Sequence, residues 1–432
     1  MTPEARLKAL SEILKEVFEF QTLPADKIVS NYVRKRRYIG SKDRRFLSSH
    51  LYTLLRNRGP LLFYGSQFGG ERDYFEKEVI LYALIFLKYS FEEAVSLCDG
   101  GIYHLSGLTQ DEKKFLKNLN FDKELPKWAL LSYPKELISF LERFELSQEN
   151  FDAKMRGLLT EAPLDLRVNT LKTTREDVLR YFDKEGIEAY PTPYSPLGIR
   201  LLKRIDLSQN PLFKKGEIEV QDEGSQLISF LLAPQPGDRV LDLCAGGGGK
   251  ALGIAALMRN KGVLIATDIN PVRLKNAKER FRRAGVHIAE TRVLENNVND
   301  KWLKRQKEKF DCVLADVPCS GSGTWRRNPD QKWKLKISDI EELQKRQLEI
   351  LNKAALMVKK GGKLVYATCS LFYEENEDIV VQFMKENDKD FILEEASSYF
   401  EGEEVLFEGK FLKLDVSKTH TDGFFAAVFK RV

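Results

Sequence analysis

Two cysteines stand in similar settings and are the residues best suited to chemistry. Cys319 lies in DVPCSGSGTWRRNPDQKW, residues 316–333, and Cys369 lies in YATCSLFYEEN, residues 366–376. Each cysteine follows an apolar segment, FDCVLADV or KLVYAT, that predicts a strand. Because ligands bind at the carboxyl ends of the strands in open α/β sheets, we expect both thiols and Asp316 to meet at that edge.

Two thiols beside a carboxyl group are suited to nucleophilic catalysis. Addition of a thiolate to carbon 6 of a cytosine makes carbon 5 enamine-like, so that carbon 5 can attack an electrophilic methyl group. Asp316, if protonated, would stabilise the adduct near ring nitrogen 3. A base must then remove the proton from carbon 5 and release the enzyme. The residues alone leave open the alternative that both cysteines are inert and structural.

A glycine-rich turn supplies a candidate cofactor site. In VLDLCAGGGGK, residues 240–250, a predicted strand runs into Gly246–Gly249, where the backbone can approach a ligand closely. The next predicted strand, GVLIATDIN, ends in Asp268, where an acid can bind ribose hydroxyls. Gly246, Gly248 and Ala251 also loosely fit the GxGxxA of a dinucleotide dehydrogenase. Ala251 follows Lys250 where a P-loop needs Ser or Thr, which disfavours an NTPase.

The elements that position these residues fall into three predicted domains. Residues 1–130 carry apolar residues at helical spacing, and Thr109 with Glu112 predicts a capping box. Residues 131–235 read as a small α/β connector, with LDLRVNT as a strand and TTREDVLRYFDKEG as a helix. From residue 236 to residue 432 strands alternate with helices, which predicts a doubly wound, Rossmann-like α/β sheet.

Composition limits the class of protein. The 432 residues are 43% hydrophobic and 31% charged, which excludes a disordered or fibrous chain and favours several domains. The five cysteines form no CxxC pair and the four histidines are scattered, so we expect neither a disulfide framework nor a metal site. The sequence shows no signal peptide and no apolar run of membrane-spanning length. These features predict a cytoplasmic protein with no membrane partner.

The net charge of +5 is mild, but basic residues are concentrated near the amino terminus. Such a face, interleaved with aromatic residues, can neutralise phosphates and stack bases. We expect RNA affinity to depend on Arg34–Arg37, and on Arg326 and Arg327. A solvated helix face is the alternative interpretation. The basic residues are Arg34, Lys35, Arg36, Arg37, Lys42, Arg44, Arg45, Arg56 and Arg58, and the aromatic residues are Tyr32, Tyr38, Phe46 and Tyr52.

The two cysteine segments resemble the paired cysteine motifs of the RsmB/NOP family of RNA cytosine-5 methyltransferases. LDLRVNTLK, VQDEGSQL and TDGFFAAVFKR resemble further signatures of that family, and the helical amino-terminal part is similar to a NusB-like RNA-binding domain. The resemblance covers nearly the whole chain. It implies a monomeric enzyme that uses S-adenosylmethionine to methylate a cytosine of ribosomal RNA, with the 16S type the most similar.

The resemblance also implies roles for matching positions. Cys369 would be the nucleophile, Cys319 would help release the product, and Asp316 would contact both the base and the cofactor region. Asn297 takes the place of the acid that usually lies near the adenine. Gly246 and Gly247 replace the Ala and Pro of the CAAPGGK pattern, which predicts a more flexible loop. The residues expected to hold the cofactor are Cys244, Ala245, Gly246, Gly247, Gly248, Gly249, Lys250, Asp268, Asn297 and Asp316.

Three rival functions remain at this point. A non-catalytic RNA-binding or antitermination module would have no use for Cys319 and Cys369. The same chemistry on transfer RNA, or on another ribosomal cytosine, is poorly distinguished by the sequence. A nicotinamide-dependent oxidoreductase would leave both cysteine motifs unexplained.

Overall fold

The computed structural model describes residues 1–143, 147–295, 301–399 and 403–432. Asn297, one of the expected cofactor ligands, lies outside the described residues. The chain divides into two compact units. The first comprises Met1–Thr160 with Trp325–Lys336, and the second comprises Glu161–Thr324 with Ile337–Val432.

The first unit is helical. Its helices bury the apolar residues predicted at helical spacing, including Leu10, Ile13 and Leu14, each fully buried. The predicted capping box at Thr109 is present, because the Thr109 side chain accepts from the Glu112 backbone and Glu112 accepts from the Thr109 backbone. The helices are α1 (Pro3–Glu19), α2 (Ala25–Lys35), α3 (Ser41–Arg56), α4 (Arg58–Gly65), α5 (Tyr74–Ile85), α6 (Phe91–Ser96), α7 (Gln110–Lys117), α8 (Lys127–Leu130), α9 (Ile138–Glu142) and α10 (Gln148–Leu159).

The helical unit extends beyond the predicted boundary at residue 130. Gly59 in α4 packs directly on the backbone of Ala129, where an added Cβ would lie 2.3 Å from the Ala129 carbonyl oxygen. The Gly59 N–H also donates to the Ser132 hydroxyl at 3.0 Å. These contacts tie the segment after α8 to the helical unit, which continues to Thr160. The three-domain division at residues 130 and 235 stays a proposal.

The second unit begins with a small antiparallel sheet of order β2-β3-β1-β4. Its core includes Leu166, Val168, Phe182 and Ile199, all fully buried. The predicted helix after Thr174 is present, with the Thr174 side chain as its N-cap. The elements are β1 (Leu164–Val168), α11 (Arg175–Lys184), β2 (Ala189–Pro191), β3 (Gly198–Leu201), α12 (Pro211–Lys215), β4 (Ile218–Val220) and α13 (Glu223–Leu232).

The large sheet carries the candidate site. Its order within the described residues is β11-β12-β13-β9-β8-β5-β6-β7, and β10 pairs with β13. The strands are β5 (Arg239–Asp242), β6 (Val263–Asp268), β7 (Ala289–Val293), β8 (Phe310–Asp316), β9 (Val358–Thr368), β10 (Phe391–Glu394), β11 (Phe407–Glu408), β12 (Phe411–Leu414) and β13 (Phe424–Arg431). The remaining helices are α14 (Gly249–Leu257), α15 (Pro271–Ala284), α16 (Lys301–Lys304), α17 (Pro329–Lys334, in the first unit), α18 (Ile337–Met357), α19 (Glu377–Asn387) and α20 (Val416–Thr419).

The expected Rossmann-like fold is confirmed. Strands β9, β8, β5, β6 and β7 run parallel, and β13 joins β9 in the antiparallel sense. The fully buried residues of the central strands, among them Val240, Leu314 and Val365, form two apolar clusters with the flanking helices. From β5 the chain adds β6 and β7 on one side of the sheet and then returns to add β8 on the other side. Because the strand order reverses at β5, a ligand-binding crevice is expected at the carboxyl ends of β5, β6 and β8. Among the described residues, no helix has both the length and the apolar character that a membrane crossing requires.

Candidate active site

The register of β8 against β9 brings the two cysteine turns together. Asp316, the last residue of β8, lies opposite Ala367 of β9, and the Val317 N–H donates to the Ala367 carbonyl at 3.1 Å. Both chains then turn at the same edge, where the Gly323 N–H donates to the Cys369 carbonyl at 2.9 Å. As a result, Cys319 Sγ lies 3.4 Å from Cys369 Sγ.

The Cys319 thiol lies beside the sulfur of Cys369. The hydrogen bond with Cys369 raises the pKa of Cys319 well above its usual range, and burial adds to the rise. Burial beside a second sulfur thus favours the protonated form of Cys319. This arrangement suits a pair in which one sulfur attacks while the other holds a proton.

Lys250 and Asp316 form an ion pair at the same edge. Lys250 Nζ lies 2.6 Å from Asp316 Oδ2 and 5.4 Å from the centre of the Phe424 ring. Burial opposes the charge on Lys250, but the Asp316 carboxylate outweighs it and raises the pKa of Lys250. The Asp316 carboxyl group, expected to stabilise the adduct, is thus paired with the Lys250 ammonium group in the structure.

Two glycines of the cofactor turn have a backbone conformation that favours glycine. Gly246 and Gly248 have φ values of +55° and +76°, in the left-handed region that favours glycine. The Gly246 N–H donates to Asp268 Oδ2 at 2.9 Å, and the Asn270 N–H donates to Asp268 Oδ1 at 2.7 Å. Asp268 thus fixes the turn as well as lying at the end of β6.

Two further side chains that sequence reasoning missed support this turn. Arg280 donates to the Gly247 carbonyl at 2.6 Å and forms an ion pair with Glu219. Arg167, which is 3% exposed, donates to the Gly249 carbonyl at 2.7 Å and to Gln221 at 2.6 Å. Arg167 lies in LDLRVNTLK and Gln221 in VQDEGSQL. These two segments, which belong to the small sheet and its end, therefore support the glycine turn.

Asp242 is the third residue that sequence reasoning missed. It ends β5, is 1% exposed, and no side chain of the described residues donates a hydrogen bond to either of its carboxylate oxygens. Burial raises the pKa of Asp242 to about 8, and the nearby Asp316 carboxylate adds to the rise. A buried carboxyl group without a donor is costly unless a ligand supplies one. Its position at the end of the strand before the glycines was the available signal.

These groups fit S-adenosylmethionine, which carries a sulfonium and an ammonium cation together with a ribose. Asp242 offers two oxygens without a side-chain donor, Asp268 lies at the end of the neighbouring strand, and Asp316 follows on the other side of β5. Carboxyl oxygens at this edge can accept hydrogen bonds from the ammonium and ribose hydroxyl groups of such a ligand. Burial raises the pKa of the Cys244 thiol well above its usual range, so this residue stays uncharged and would contact a ligand through apolar or backbone atoms.

The expected basic surface is only partly present on the helical unit. Arg34, Lys35 and Arg37 are exposed, as are Lys42, Arg44 and Arg45. A cavity of about 580 Å³ lies beside them, with Arg34, Arg37, Arg44 and Tyr52 among its lining residues. This surface combines three guanidinium groups with one aromatic ring, a composition that suits phosphates and bases.

Several residues assigned to that surface have internal partners instead. Arg58 is 6% exposed and forms an ion pair with Glu78, while Arg56 is 8% exposed and donates to the Arg326 carbonyl at 2.9 Å. Arg326 is itself 3% exposed, so its expected role as a phosphate contact is wrong. The side chain of Arg36 stacks 3.6 Å from the centre of the buried Tyr32 ring, which removes this tyrosine from any stacking surface.

Comparison with family models identifies two matching regions. Residues 229–430 match the model described as 16S rRNA methyltransferase RsmB/F. Residues 148–208 match the ferredoxin-like domain of RsmF/B-like methyltransferases, which includes β1 to β3 of the small sheet.

Curated relatives carry names that agree with these family models. The chain is 37% identical over 273 residues to ribosomal RNA small subunit methyltransferase B of Yersinia enterocolitica, covering 62% of this chain and 59% of the relative. It is 39% identical over 245 residues to the protein of the same name from Pectobacterium atrosepticum, covering 56% of each. The matches thus span between half and three fifths of the length of these relatives.

Solved structures extend the comparison. PH0851 matches over 99% of both chains with a TM-score of 0.79 and 25% identity. A methyltransferase homolog protein from Pyrococcus horikoshii is 30% identical, with a TM-score of 0.60, and the match covers 71% of this chain and 98% of that one. These findings confirm the resemblance seen in the cysteine motifs and the expected cofactor. The chain therefore belongs to the RsmB/F family of S-adenosylmethionine-dependent methyltransferases.

Proposed function

We propose that this protein methylates carbon 5 of a cytosine in small-subunit ribosomal RNA through a covalent adduct with Cys369. The observation that carries the proposal is the pair of sulfur atoms 3.4 Å apart at the cofactor edge of the sheet. A methyltransferase acting on oxygen or on an exocyclic amine needs no thiol, whereas carbon 5 of cytosine must first be activated by a nucleophile. Two thiols at one edge supply both an attacking and an assisting group.

In the proposed reaction, the Cys369 thiolate adds to carbon 6 of the cytosine. The electron pair moves towards ring nitrogen 3, where a proton must be supplied. Lys250 and Asp316, paired at 2.6 Å, form a unit that holds such a proton beside the thiols. We assign the proton at nitrogen 3 to this pair, with Asp316 contacting the base.

Release completes the cycle. Bound S-adenosylmethionine would supply the methyl group and leave as S-adenosylhomocysteine, so that carbon 5 carries both a methyl group and a proton. A base then removes that proton, the double bond between carbons 5 and 6 is restored, and Cys369 Sγ leaves as the thiolate. The proton at nitrogen 3 returns to the Lys250–Asp316 pair. We assign assistance in this step to Cys319, since its sulfur lies beside the sulfur that must leave.

The cofactor would be held by the turn Cys244–Lys250 together with Asp242, Asp268 and Asp316. The left-handed glycines keep side chains away from the ligand, and the three carboxyl groups face its cationic and hydroxyl groups. Asp268 has one lone pair on each oxygen left after its two backbone contacts, which suits ribose hydroxyls.

The substrate assignment rests on the relatives and on the helical unit. The curated relatives carry the name ribosomal RNA small subunit methyltransferase B. Arg34, Arg37 and Arg44 line one cavity of the helical unit, and Lys35 is exposed beside them. Guanidinium groups clustered in this way bind phosphates. We therefore assign RNA contact to this surface.

Mapping of 5-methylcytidine tests the proposal. Small-subunit ribosomal RNA from cells that lack the protein should be missing one modified cytosine, and the purified enzyme with S-adenosylmethionine should restore it. A chain with Cys369→Ala should not restore it. Loss of 5-methylcytidine from transfer RNA alone would contradict the substrate assignment, and methylation by the Cys369→Ala chain would contradict the mechanism.

A further inference from the structure

A buried polar network lies behind the two cysteine turns and plays no part in the reaction as described above. Its centre is Glu375, which is fully buried. The residues that follow the two cysteines, Ser320 and Ser370, both point their hydroxyl groups at this one carboxylate. The network therefore joins two turns that are 50 residues apart in the chain.

Glu375 accepts four hydrogen bonds. Its Oε1 accepts from the Ser320 N–H at 2.8 Å and from Gln347 Nε2 at 2.9 Å. Its Oε2 accepts from the Ser320 hydroxyl at 2.5 Å and from the Ser370 hydroxyl. All four partners are donors, and an ionised carboxylate is the side chain that can accept from all of them at once. Four donors also offset the cost of burying its charge.

The carboxylate is itself fixed in place. Glu375 ends the short turn Tyr373–Glu375, and its carbonyl accepts from the fully buried Tyr366 hydroxyl at 2.5 Å. Gln347, which is fully buried in α18, also donates to the Pro318 carbonyl at 3.0 Å. The residues on both sides of Cys319, Pro318 and Ser320, are therefore held by this network.

The attachment is stronger at Cys319 than at Cys369. Ser320 contributes both its N–H and its hydroxyl to Glu375, whereas Ser370 contributes its hydroxyl alone. The Cys369 turn has an anchor that does not involve the Glu375 carboxylate, since Asn376 Nδ2 donates to the Ser370 carbonyl at 3.0 Å. Loss of Glu375 should therefore displace Cys319 more than Cys369.

We propose that Glu375 is a positioning residue that holds Cys319 at the separation from Cys369 that product release requires. This inference rests on the proposed function, in which Cys369 attacks and Cys319 assists release. The negative charge of Glu375 also opposes ionisation of the Cys319 thiol.

Two variants of Glu375 test its role in positioning Cys319. Glu375→Ala removes all four acceptors, so turnover should fall about 100-fold, as expected for misplacement by about 1 Å, while attack by Cys369 continues. Labelled RNA should then accumulate as a covalent complex that survives a denaturing gel. Glu375→Gln keeps the shape and one acceptor oxygen, so it should recover part of the turnover and trap less RNA than Glu375→Ala.

Glu377→Gln is the matched control. Glu377 lies two residues further on, is also buried, and pairs with Lys413 rather than with the cysteine turns. Its variant should show wild-type turnover and no trapped complex. Should Glu375→Ala fail to fold, Ser320→Ala decides in its place, because it removes one hydroxyl beside Cys319 and leaves the carboxylate. A partial trapping, with turnover about tenfold lower, is then expected.

The inference is overturned if a folded Glu375→Ala chain turns over at the wild-type rate, or loses turnover without a trapped complex. It is equally overturned if Glu375→Gln traps as much RNA as Glu375→Ala. Failure of the proposed function would look different, because Cys319→Ala would then trap no RNA either. Trapping by Cys319→Ala without trapping by Glu375→Ala would contradict the positioning role alone.

Discussion

The glycine turn allows a prediction in which stability and cofactor affinity respond separately. Gly246 and Gly248 both have left-handed φ values, so alanine at either position costs about 1 kcal/mol in backbone strain. Their surroundings differ. A Cβ on Gly248 would lie 2.8 Å from Phe281 Cε1 and 3.0 Å from Ala277 Cβ, whereas a Cβ on Gly246 would meet nothing within 4 Å.

The magnitudes follow from these contacts. Overpacking a close-packed site costs about 1–3 kcal/mol in addition to the strain. Gly248→Ala should therefore lower the free energy of unfolding by about 2–4 kcal/mol, and Gly246→Ala by about 1 kcal/mol. The empty space beside Gly246 is where we place the cofactor. Gly246→Ala should consequently weaken S-adenosylmethionine binding at least tenfold while leaving the protein nearly as stable as the wild type.

Denaturant unfolding without ligand and calorimetric titration with S-adenosylmethionine measure the two effects. Gly237→Ala is the control, because Gly237 also has a positive φ and open surroundings but lies before β5, away from the turn. It should lose stability and keep wild-type affinity. Equal stability of the Gly246→Ala and Gly248→Ala chains would refute the packing argument. Unchanged affinity in Gly246→Ala would refute the placement of the cofactor.

Two further predictions concern charge. Joint replacement of Arg34, Lys35 and Arg37 by Ala should weaken RNA binding and flatten the slope of log affinity against log salt by roughly 2–3, which filter binding at several salt concentrations measures. An unchanged slope would show a merely solvated surface. The pKa of Asp242 is about 8 in the folded protein against an ordinary 3.8, so the folded state binds the extra proton between those values. Stability should therefore fall as pH rises from about 4 to about 8, and Asp242→Asn should flatten this dependence in denaturant unfolding; an equally steep dependence in the variant would contradict the assignment.

Local sequence patterns predicted which residues of the candidate site lie close together. The order in VLDLCAGGGGK predicts a strand, a glycine turn and a helix, and the structure has β5, this turn and α14 in that order. The cysteines could be placed together because each follows a strand, and carboxyl ends of parallel strands share an edge. The assigned roles of Cys369, Cys319 and Asp316 stay predictions.

Contacts between distant parts of the chain were beyond the reach of the sequence. Arg56 reads as part of a basic face, yet it is buried against the Arg326 carbonyl, 270 residues away. Glu375 reads as one acid in the run YEEN, and only the fold shows that both cysteine turns contact it. Asp242 could have been singled out as an acid at a strand end, but its burial without a side-chain donor depends on the packed sheet.

The central claim is that Cys369 attacks and Cys319 assists release, and one denaturing gel tests it directly. Cys369→Ala and Cys319→Ala chains are each incubated with labelled small-subunit RNA and S-adenosylmethionine. Because addition precedes elimination, we expect Cys319→Ala to retain a covalent protein–RNA band and Cys369→Ala to form none. A band in Cys369→Ala and none in Cys319→Ala would reverse the two roles, and undiminished turnover in both would contradict the covalent mechanism.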